Sequence, residues 1–489
     1  MTLPATTTAQ RKANDDNRTN PPANSLAEAF AGRHIHFVGI GGSGMCGLAH
    51  MLSQAGAMVT GTDLVESQTL EKLRRLGALV RLENGGGLPA DTQMVVYSAA
   101  VRDEHPALAE ARRRGLTILK YAQLLGQVMN RKRGIAIAGT HGKSTTTAMT
   151  AYVLTTAGLD PSFVVGAPSP QLAGSSHGGK GSHFVVEACE YDRSFDNLFP
   201  HIAAVLNIEE DHLDYYRDIH EITAAFGKFV SQVNPGGLLI IPVADSSCRR
   251  AAAQSAAPVE TYGLEVRADW TATDIVHQDG HIRFAVAYRR QPVGPLVLNI
   301  PGRHNVGNAL VAAAIATRCG VPWDSIARAV REFAGVNRRS QWLGCFRQVT
   351  VVDDYAHHPT EIRATLLALR EHYQPQRLIC VFQPHQHSRT RLLLADFARS
   401  FNQADLIIVP DIFFVRDTEA DRVAVTARTL VARLRENGRE ALHIASFEDI
   451  VAYLAGSTRP GDLVVSMGAG PVWEVTDGLV RGFRDNRQD

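Results

Sequence analysis

The chain has 489 residues, a length that predicts two to four domains. Hydrophobic residues make up 45% and charged residues 20% of the chain, as in soluble globular proteins, and the net charge of +1 gives no electrostatic basis for binding nucleic acid. The six cysteines show no C-x-x-C spacing, so we expect reduced thiols, as in the cytoplasm, and no zinc ribbon. No apolar run reaches the ~18 residues of a membrane helix, so we expect a cytoplasmic location and no membrane partner.

The N-terminal segment, residues 1–31, is polar and contains several Pro and Asn residues. It has no apolar stretch of the kind that a signal peptide needs. We predict that this segment is a disordered tail.

Residues 32–127 predict a first α/β domain. The stretch HIHFVGIGGSGMCGLAHMLSQAGAMVTGTD has the pattern of a strand, a glycine-rich turn, a helix and a second strand. Further short strands are predicted near 78–82, 94–98 and 117–119. Strands that alternate with helices favour a Rossmann-like parallel sheet.

The glycine-rich turn is Gly39-Ile40-Gly41-Gly42-Ser43-Gly44. Its glycines would allow a pyrophosphate to approach the N-terminus of the following helix, and Asp63 ends the second strand, where a carboxylate could bind a ribose hydroxyl. The motif fits a dinucleotide or another diphosphate such as a UDP-sugar, and nothing local distinguishes them. A turn that binds no ligand is the alternative.

Residues 128–337 predict a second α/β domain, which begins with a phosphate loop. In GIAIAGTHGKSTTT an apolar strand stops at Gly139 and a helix begins after Gly142. Backbone N–H groups of such a loop can surround phosphate oxygens, Lys143 can meet the outer phosphates, and the Ser144 hydroxyl can bind Mg²⁺. The usual phosphate loop has Gly six residues before its Lys, where this chain has Ile137, so we predict a shorter loop.

Polar residues follow two apolar runs of this second domain. Glu187 and His212 each lie just beyond a predicted strand, and they are candidate divalent-metal ligands beside Ser144. Mg²⁺ prefers oxygen ligands, so a histidine suits a second, looser metal position. Unrelated polar residues at strand ends are the alternative. The alternating segment 270–300, with Asp279-Gly280 as its turn, predicts a β-hairpin at the edge of the domain.

Two asparagines mark the start of an alanine-rich helix. Asn305 and Asn308 are three residues apart and lie on one helical face. An amide can both donate to and accept from an adenine edge. A capped helix with buried amides is the alternative.

Residues 338–489 predict a third α/β domain with several histidines and arginines after its strands. Ligands of open α/β sheets bind at the carboxyl ends of strands. Arg389 could therefore clamp a carboxylate or phosphate, and His357, His358 and His385 could bind or orient a substrate. Solvated loops are the alternative.

Six motifs occur in a fixed order: GTHGKSTTT, VVEACEYDRSF, NIEEDHLDYY, GRHNVGNA, DDYAHHPTE and QPHQHSRTR. Together they resemble the Mur ligase family over about 32–473. Mur phosphate loops are similar to G-T-x-G-K-[ST]-T, so Gly139 matches the family's first glycine and Ile137 is no departure. The preceding GIGGSGM is most similar to the branch that joins L-alanine to UDP-N-acetylmuramate.

The resemblance implies an α/β protein of three domains. They are an N-terminal Rossmann-like UDP-binding domain, a central P-loop ATPase-type domain with a small β-hairpin extension, and a C-terminal Rossmann-like domain that brings the amino acid. It implies an enzyme that uses ATP and Mg²⁺ to make an acyl phosphate from a carboxylate, which the amine of L-alanine then attacks. The partners would be these small molecules, and the protein would be a monomer or homodimer.

The resemblance also implies site residues. Catalytic roles fall to Lys143, Glu187, His212, His385 and Arg389. Metal ligands would be Ser144, Glu187 and His212. ATP would contact Gly139, Thr140, His141, Gly142, Lys143, Ser144, Thr145, Asn305, Asn308, Arg339 and Asp354. The UDP-sugar would contact Gly41, Gly42, Ser43, Gly44, Asp63, Ser98 and His357.

Two positions depart from the commoner family pattern. Phe226 replaces a lysine that many members carry in carbamylated form beside the second metal, with Lys228 two residues later, and the L-alanine branch shares this lack. Cys189 replaces an aspartate. Three alternatives remain at this stage: a recycling ligase that uses an intact tripeptide, an NAD-dependent dehydrogenase based on the first glycine-rich loop, and a nucleotide-binding module without catalysis.

Overall fold

The computed structural model describes residues 26–83, 87–213, 215–415 and 417–485. The predicted tail over 1–25 and the side chain of Ser43 lie outside the described residues. Leu26–Phe30 forms a short helix, α1, although the sequence places it in the tail. Phe30 is buried in the apolar core, and the guanidinium of Arg131 lies 5.7 Å from its ring centroid. The ordered first domain therefore begins before Gly32.

The first domain is a five-stranded parallel sheet in the order β3-β2-β1-β4-β5, as the sequence predicts. The Ser67 hydroxyl caps α3 by accepting a hydrogen bond from the Leu70 N–H, and a proline begins α4. Its elements are β1 His34–Val38, α2 Ser43–Gln54, β2 Met58–Asp63, α3 Gln68–Arg75, β3 Leu79–Leu82, β4 Met94–Tyr97, α4 Pro106–Arg113, β5 Thr117–Lys120 and α5 Tyr121–Met129.

The central domain contains a ten-stranded sheet in the order β15-β14-β13-β12-β11-β10-β6-β9-β7-β8. The seven strands from β13 to β7 are parallel. Its elements are β6 Arg133–Ala138, α6 Lys143–Thr156, β7 Ser162–Ser169, β8 Gly174–His177, β9 His183–Glu187, β10 Ile202–Val205, α7 Ile219–Ser231, β11 Leu238–Pro242, α8 Ser246–Ala252, β12 Val259–Leu264, β13 Trp270–Gln278, β14 His281–Tyr288, β15 Gln291–Leu298, α9 Arg303–Arg318 and α10 Trp323–Glu332, with short 3₁₀ helices at Pro170–Leu172 and Tyr191–Asn197.

The predicted β-hairpin is present and has a third strand. β13 and β14 pair antiparallel around Asp279-Gly280, and β15 then pairs antiparallel with β14. β15 contains Pro292 and Pro295, which donate no backbone hydrogen bond. It lies at the edge of the sheet, where a strand tolerates proline.

The C-terminal domain is a six-stranded sheet in the order β16-β17-β21-β18-β19-β20, parallel except for β16. Apolar residues cover both of its faces. Its elements are β16 Gln341–Phe346, β17 Val349–Asp354, α11 Pro359–Tyr373, β18 Arg377–Phe382, α12 His387–Leu392, α13 Leu394–Ala398, β19 Leu406–Val409, α14 Glu419–Ala424, α15 Ala427–Glu436, β20 Ala441–His443, α16 Phe447–Ser457, β21 Asp462–Met467 and α17 Trp473–Asp485.

The first two domains share one apolar core, which includes Phe37 and Leu48 of the first domain and Phe184 of the second. Two glycines permit close approach at this junction. A Cβ at Gly47 of α2 would lie 2.8 Å from the Ser176 Cβ, and one at Gly126 of α5 would lie 2.1 Å from the Asn197 carbonyl oxygen. Helix α5 also crosses the predicted boundary at 127, so the structure places the connection between Met129 and Arg133.

No helix among the described residues is both long and apolar enough to cross a lipid bilayer.

Candidate active site

The phosphate loop connects β6 to α6. Gly139 and Gly142 have φ values of 141° and 83°, backbone conformations that L-residues with a Cβ rarely adopt. The Lys143 ammonium group donates to the carbonyl oxygens of Gly139 at 2.6 Å and Thr140 at 3.1 Å. The loop therefore curls around its own lysine at the N-terminus of a helix, a geometry that favours phosphate.

Glu190 joins two of the predicted catalytic residues. Its Oε1 lies 3.0 Å from the Lys143 Nζ and 3.6 Å from the His212 Nε2. The side chain is buried, and its Oε2 has no hydrogen-bond partner among the described residues. Burial alone would raise the pKa of this carboxyl, but Lys143 and His212 lower it. The sequence interpretation gave Glu190 no such role, although it follows Glu187 by three residues in the same motif.

Glu187 and Ser144 border one cavity of about 580 Å³ between the central and C-terminal domains. The Glu187 Oε2 accepts a hydrogen bond of 2.8 Å from the Gly166 N–H. A Cβ at Gly166 would lie 2.6 Å from this oxygen, so only glycine permits the contact. The Ser144 hydroxyl and the Glu187 carboxylate are oxygen donors of the kind that Mg²⁺ prefers.

His212 follows β10 on a loop and has a φ of 54°. Its backbone N–H donates to the Asp211 Oδ1 at 2.7 Å, and its ring lies 5.0 Å from the Tyr191 ring. A positive φ at a non-glycine residue is uncommon and clusters at functional sites. Here it directs the imidazole towards Glu190.

Most of the residues predicted to contact ATP line a second cavity of about 300 Å³ next to the phosphate loop. Its wall combines residues of the loop with apolar side chains such as Leu264 and Ile300, a mixture that a nucleotide site needs. The predicted residues in its wall are His141, Gly142, Ser144, Thr145, Asn305, Asn308, Arg339 and Asp354.

The two asparagines use part of their hydrogen-bonding capacity on each other. The Asn308 Nδ2 donates to the Asn305 Oδ1 at 2.8 Å, and the Asn305 Nδ2 donates to the Pro301 carbonyl oxygen at 2.7 Å. A Cβ at Gly142 would lie 2.8 Å from the Asn308 Oδ1. Asn308 therefore packs against the phosphate loop, so the adenine contact that the sequence suggests for both residues stays a prediction.

His141 of the phosphate loop lies between two carboxylates from different domains. Its Nδ1 is 3.1 Å from the Glu361 Oε1 of α11, and its Nε2 is 3.5 Å from the Glu209 Oε2. Burial opposes its charge, but Glu361 and Glu209 raise the pKa of His141 to about 9. The phosphate loop is thus bonded directly to the C-terminal domain, and sequence reasoning gave neither Glu209 nor Glu361 a role.

Arg339 and Asp354 line the C-terminal side of the nucleotide cavity. The Asp354 carboxylate accepts hydrogen bonds from the N–H groups of Ser340 at 2.6 Å and Ala356 at 2.7 Å. Burial nonetheless raises the pKa of Asp354 to about 6. The Arg339 guanidinium lies 5.0 Å from the Tyr355 ring centroid and 3.7 Å from the Glu361 carboxylate.

Arg389 forms a buried ion pair with Asp211 of the central domain, with 2.9 Å between Nη2 and Oδ1. Its Nη1 lies 3.5 Å from the His385 Nδ1. Arg389, Asp211 and His212 border a small cavity of about 190 Å³. The structure therefore brings Arg389 and His385 of the C-terminal domain close to His212, through Asp211, an acidic partner that the sequence did not reveal.

In the first domain, Asp63 and Ser98 lie beside the glycine-rich turn. The Asp63 Oδ2 accepts a hydrogen bond of 2.8 Å from the Gly41 N–H, so this carboxylate positions the turn itself. A Cβ at Gly39 would lie 3.1 Å from the Ser98 Cβ, and one at Gly44 would lie 2.4 Å from the Tyr121 hydroxyl oxygen. Tyr121, the first residue of α5, is a neighbour of this turn that sequence reasoning missed.

Three family models match this chain. The Mur ligase family, catalytic domain model matches residues 34–133, the Mur ligase middle domain model matches 137–316, and the Mur ligase, glutamate ligase domain model matches 338–470. The chain belongs to the Mur ligase family.

Curated relatives of this Mur ligase span nearly its whole length. A UDP-N-acetylmuramate–L-alanine ligase of Caldanaerobacter subterraneus subsp. tengcongensis is 40% identical over 445 residues, which are 91% of this chain and 96% of that protein. A ligase of the same name from Clostridium novyi is 41% identical over 444 residues, again 91% of this chain and 96% of that protein.

Solved structures give the same family. The crystal structure of UDP-N-acetylmuramate-alanine ligase MurC from Thermotoga maritima superposes with a TM-score of 0.78 at 26% identity, covering 93% of this chain and 99% of that one. A murein peptide ligase from Psychrobacter arcticus superposes with a TM-score of 0.69 at 27% identity, covering 92% of this chain and 99% of that one.

Two positions that depart from the common Mur ligase pattern have different surroundings. Phe226 is fully buried, and its ring lies 5.2 Å from that of Phe195. Lys228 instead pairs with Asp196 at 2.6 Å. Burial raises the pKa of the Cys189 thiol to about 12, so the thiol stays protonated beside Lys143.

His357, which the sequence assigns to the UDP-sugar, lies at the central–C-terminal junction of this Mur ligase. Its backbone N–H donates to the Glu361 Oε2 at 3.1 Å, and its ring lies 6.4 Å from that of His385. Burial lowers the pKa of His357 to about 4, so it is neutral. These contacts group His357 with Glu361 and His385 of the C-terminal domain, and its contact with a UDP-sugar stays a prediction.

Proposed function

We propose that this Mur ligase joins the amino group of L-alanine to the lactyl carboxylate of UDP-N-acetylmuramate, with conversion of ATP to ADP and phosphate, in peptidoglycan precursor synthesis. Relatives that carry this activity in their names match over more than nine-tenths of the chain. The observation that carries the proposal is that Glu190 contacts both Lys143 and His212 next to a nucleotide-sized cavity.

The reaction needs activation of a carboxylate, because its own leaving group would be oxide. A carboxylate oxygen attacks the γ-phosphorus of ATP, the bond to the ADP oxygen breaks, and an acyl phosphate forms. The neutral amine then attacks the acyl carbon, loses a proton and expels phosphate. These reaction steps depend mainly on the positioning of the reactants and the neutralisation of charge.

The residues of the phosphate loop suit the first step. Lys143 would neutralise the β- and γ-phosphates, since its ammonium already lies among the loop carbonyls. Glu190 would hold that ammonium in place. Ser144, Glu187 and His212 would hold Mg²⁺, which supplies positive charge next to the transferred phosphoryl group.

The two other cavities suit the acceptor and the amine. We assign the muramyl end of the acceptor to the cavity of about 580 Å³, because Ser144 and Glu187 border it. We assign L-alanine to the cavity of about 190 Å³ beside Arg389, which holds roughly six water volumes. A tripeptide would need more room than this.

The location and the oligomeric state are part of the same proposal. All six cysteines are free thiols, as in a reducing cytoplasm. We propose a cytoplasmic enzyme that acts as a monomer or homodimer.

The test is phosphate release from ATP and Mg²⁺ with UDP-N-acetylmuramate. Three reactions would contain no amine, L-alanine, or L-Ala-γ-D-Glu-meso-diaminopimelate. We expect turnover with L-alanine alone. Turnover only with the tripeptide would instead indicate the recycling reaction, a second candidate because a murein peptide ligase shares this fold.

A further inference from the structure

A cavity of about 320 Å³ lies at the opposite edge of the central sheet from the phosphate loop. Arg133 and His183 begin β6 and β9, and His201 precedes β10. The phosphate loop follows the other end of β6, a strand of six residues and therefore roughly 20 Å long. The cavity is thus separate from the nucleotide site.

The lining of this cavity is basic. It includes Arg133, His183, His201 and Arg318, and no aspartate or glutamate among the described residues lines it. Arg318 is neutralised by an ion pair with Glu260. Arg133 has no carboxylate within ion-pair distance in the described part of the chain; its Nη2 lies 3.1 Å from the His201 Nε2. Because arginine only donates, that nitrogen of His201 must accept, and His201 is neutral.

His183 also lines the cavity. Burial, and then the charges of Arg133 and Lys132, lower the pKa of His183 to about 4. The cavity thus combines an arginine that has no carboxylate partner in the described part of the chain with two histidines, a charge balance that an anion would complete.

We propose that this cavity is a binding site for a phosphate-type oxyanion, held by Arg133, His183 and His201. The guanidinium would donate to the oxyanion in bidentate fashion, and the histidines would donate when protonated. The volume equals roughly ten water molecules, which suits inorganic phosphate, pyrophosphate or the phosphate end of a small ester. A bound anion would favour the charged form of His183, so binding takes up a proton and tightens as the pH falls.

Titration calorimetry tests the site. Each titration would contain saturating Mg²⁺ and a nonhydrolysable ATP analogue, so that the phosphate loop is filled, at constant ionic strength. The probes are sulfate, inorganic phosphate, pyrophosphate and ribose 5-phosphate. We expect Arg133→Gln to weaken binding at least tenfold, and Arg328→Gln, which removes an exposed arginine of the same domain, to change it less than twofold. Equal binding to wild type and Arg133→Gln would overturn the proposal.

A second measurement needs no variant. We expect saturating sulfate, which does not titrate near neutral pH, to raise the pKa of His183 by about one unit or more in histidine NMR spectra. Sulfate affinity should also increase as the pH falls from about 6.5 to about 4.5, because the pKa of His183 without the anion is about 4. A His183 resonance whose titration is unchanged by sulfate would contradict the site. Tighter binding of pyrophosphate than of ribose 5-phosphate would identify a free phosphate as the ligand, and the reverse order would identify an ester.

Discussion

Arg389 of the C-terminal domain and Asp211 of the central domain form a buried ion pair 2.9 Å long. Burial alone would raise the pKa of Asp211, but Arg389 and the neighbouring histidines lower it below its usual range. The same arginine lies next to the proposed alanine cavity. One guanidinium therefore both joins two domains and borders the cavity proposed for the amino acid.

Removal of either partner of this ion pair should destabilise the protein. We expect Arg389→Ala and Asp211→Asn each to lower the free energy of unfolding by about 3 kcal/mol, because the remaining partner stays buried, and the double variant to lose less than the sum. Urea unfolding measures this. Arg391→Ala breaks an ion pair with Asp421 in which the arginine is half exposed. It should lower the free energy of unfolding by less than about 1 kcal/mol.

The same variant separates the two roles of Arg389. We expect Arg389→Ala to raise the KM for L-alanine, whereas Asp211→Asn should change it less. An unchanged KM in Arg389→Ala would restrict the arginine to domain contact.

The Lys143–Glu190 pair should control turnover. We expect Lys143→Ala to retain the fold and to lose more than tenfold in ligation rate, a barrier increase above ~1.4 kcal/mol, because no other cation is seen to approach the loop carbonyls among the described residues. Glu190→Gln should also reduce the rate and raise the Mg²⁺ concentration needed. Phosphate release and circular dichroism measure the two properties.

A matched control is Glu221→Gln, since Glu221 pairs with Arg193 and Arg217 at the start of α7. It should keep the wild-type requirement for Mg²⁺. Glu190→Gln with wild-type kinetics would remove Glu190 from the site.

His141 should make stability depend on pH. Its folded pKa of about 9 lies above its ordinary 6.5, so its contribution is fully present below about pH 6.5 and is lost as the pH rises through about 9. We expect the stability difference between wild type and His141→Asn to shrink by at most about 3 kcal/mol between pH 6 and pH 9.5. Exposed His220 provides the control substitution. A difference that stays constant with pH would contradict the charged bridge to Glu361.

Two glycine substitutions should have opposite effects. Gly126→Ala would place a Cβ 2.1 Å from the Asn197 carbonyl oxygen, so we expect a loss of about 1–3 kcal/mol. Gly456→Ala, in the helix α16, meets nothing within 4 Å and should gain about 0.5–1 kcal/mol. Thermal unfolding of both variants measures the effect. Similar shifts of the melting temperature in both variants would mean that the backbone at the junction of the first two domains can move to accommodate the added methyl group.

Lys228 should be dispensable. Since it pairs with Asp196 and Phe226 is buried, we expect Lys228→Ala to keep the wild-type rate with or without added bicarbonate. A bicarbonate-dependent rate would indicate a carbamylated lysine after all.

The sequence predicts most of the fold, and it identifies polar residues that directly follow the strands as candidate site residues. Alternating strands and helices, the phosphate loop and the hairpin at Asp279-Gly280 are all present. The predicted hairpin did not include the third strand, β15, whose Pro292 and Pro295 are tolerated at the edge of the sheet.

The missed site residues share one property, which is that their partners lie far away in sequence. Glu361 meets His141 across 220 residues, and Asp211 meets Arg389 across 178. Periodicity and turn signals carry no information on such pairs. The contact of His357 with the UDP-sugar stays a prediction, and its contacts within the chain are with Glu361 and His385.

Helix α2, which begins in the glycine-rich turn, packs through Gly47 against Ser176 of β8 and against Val164 of β7. Further along β7, the Gly166 N–H holds the Glu187 carboxylate. A movement of α2 when the first domain takes its ligand would therefore reach the Glu187 carboxylate through one strand.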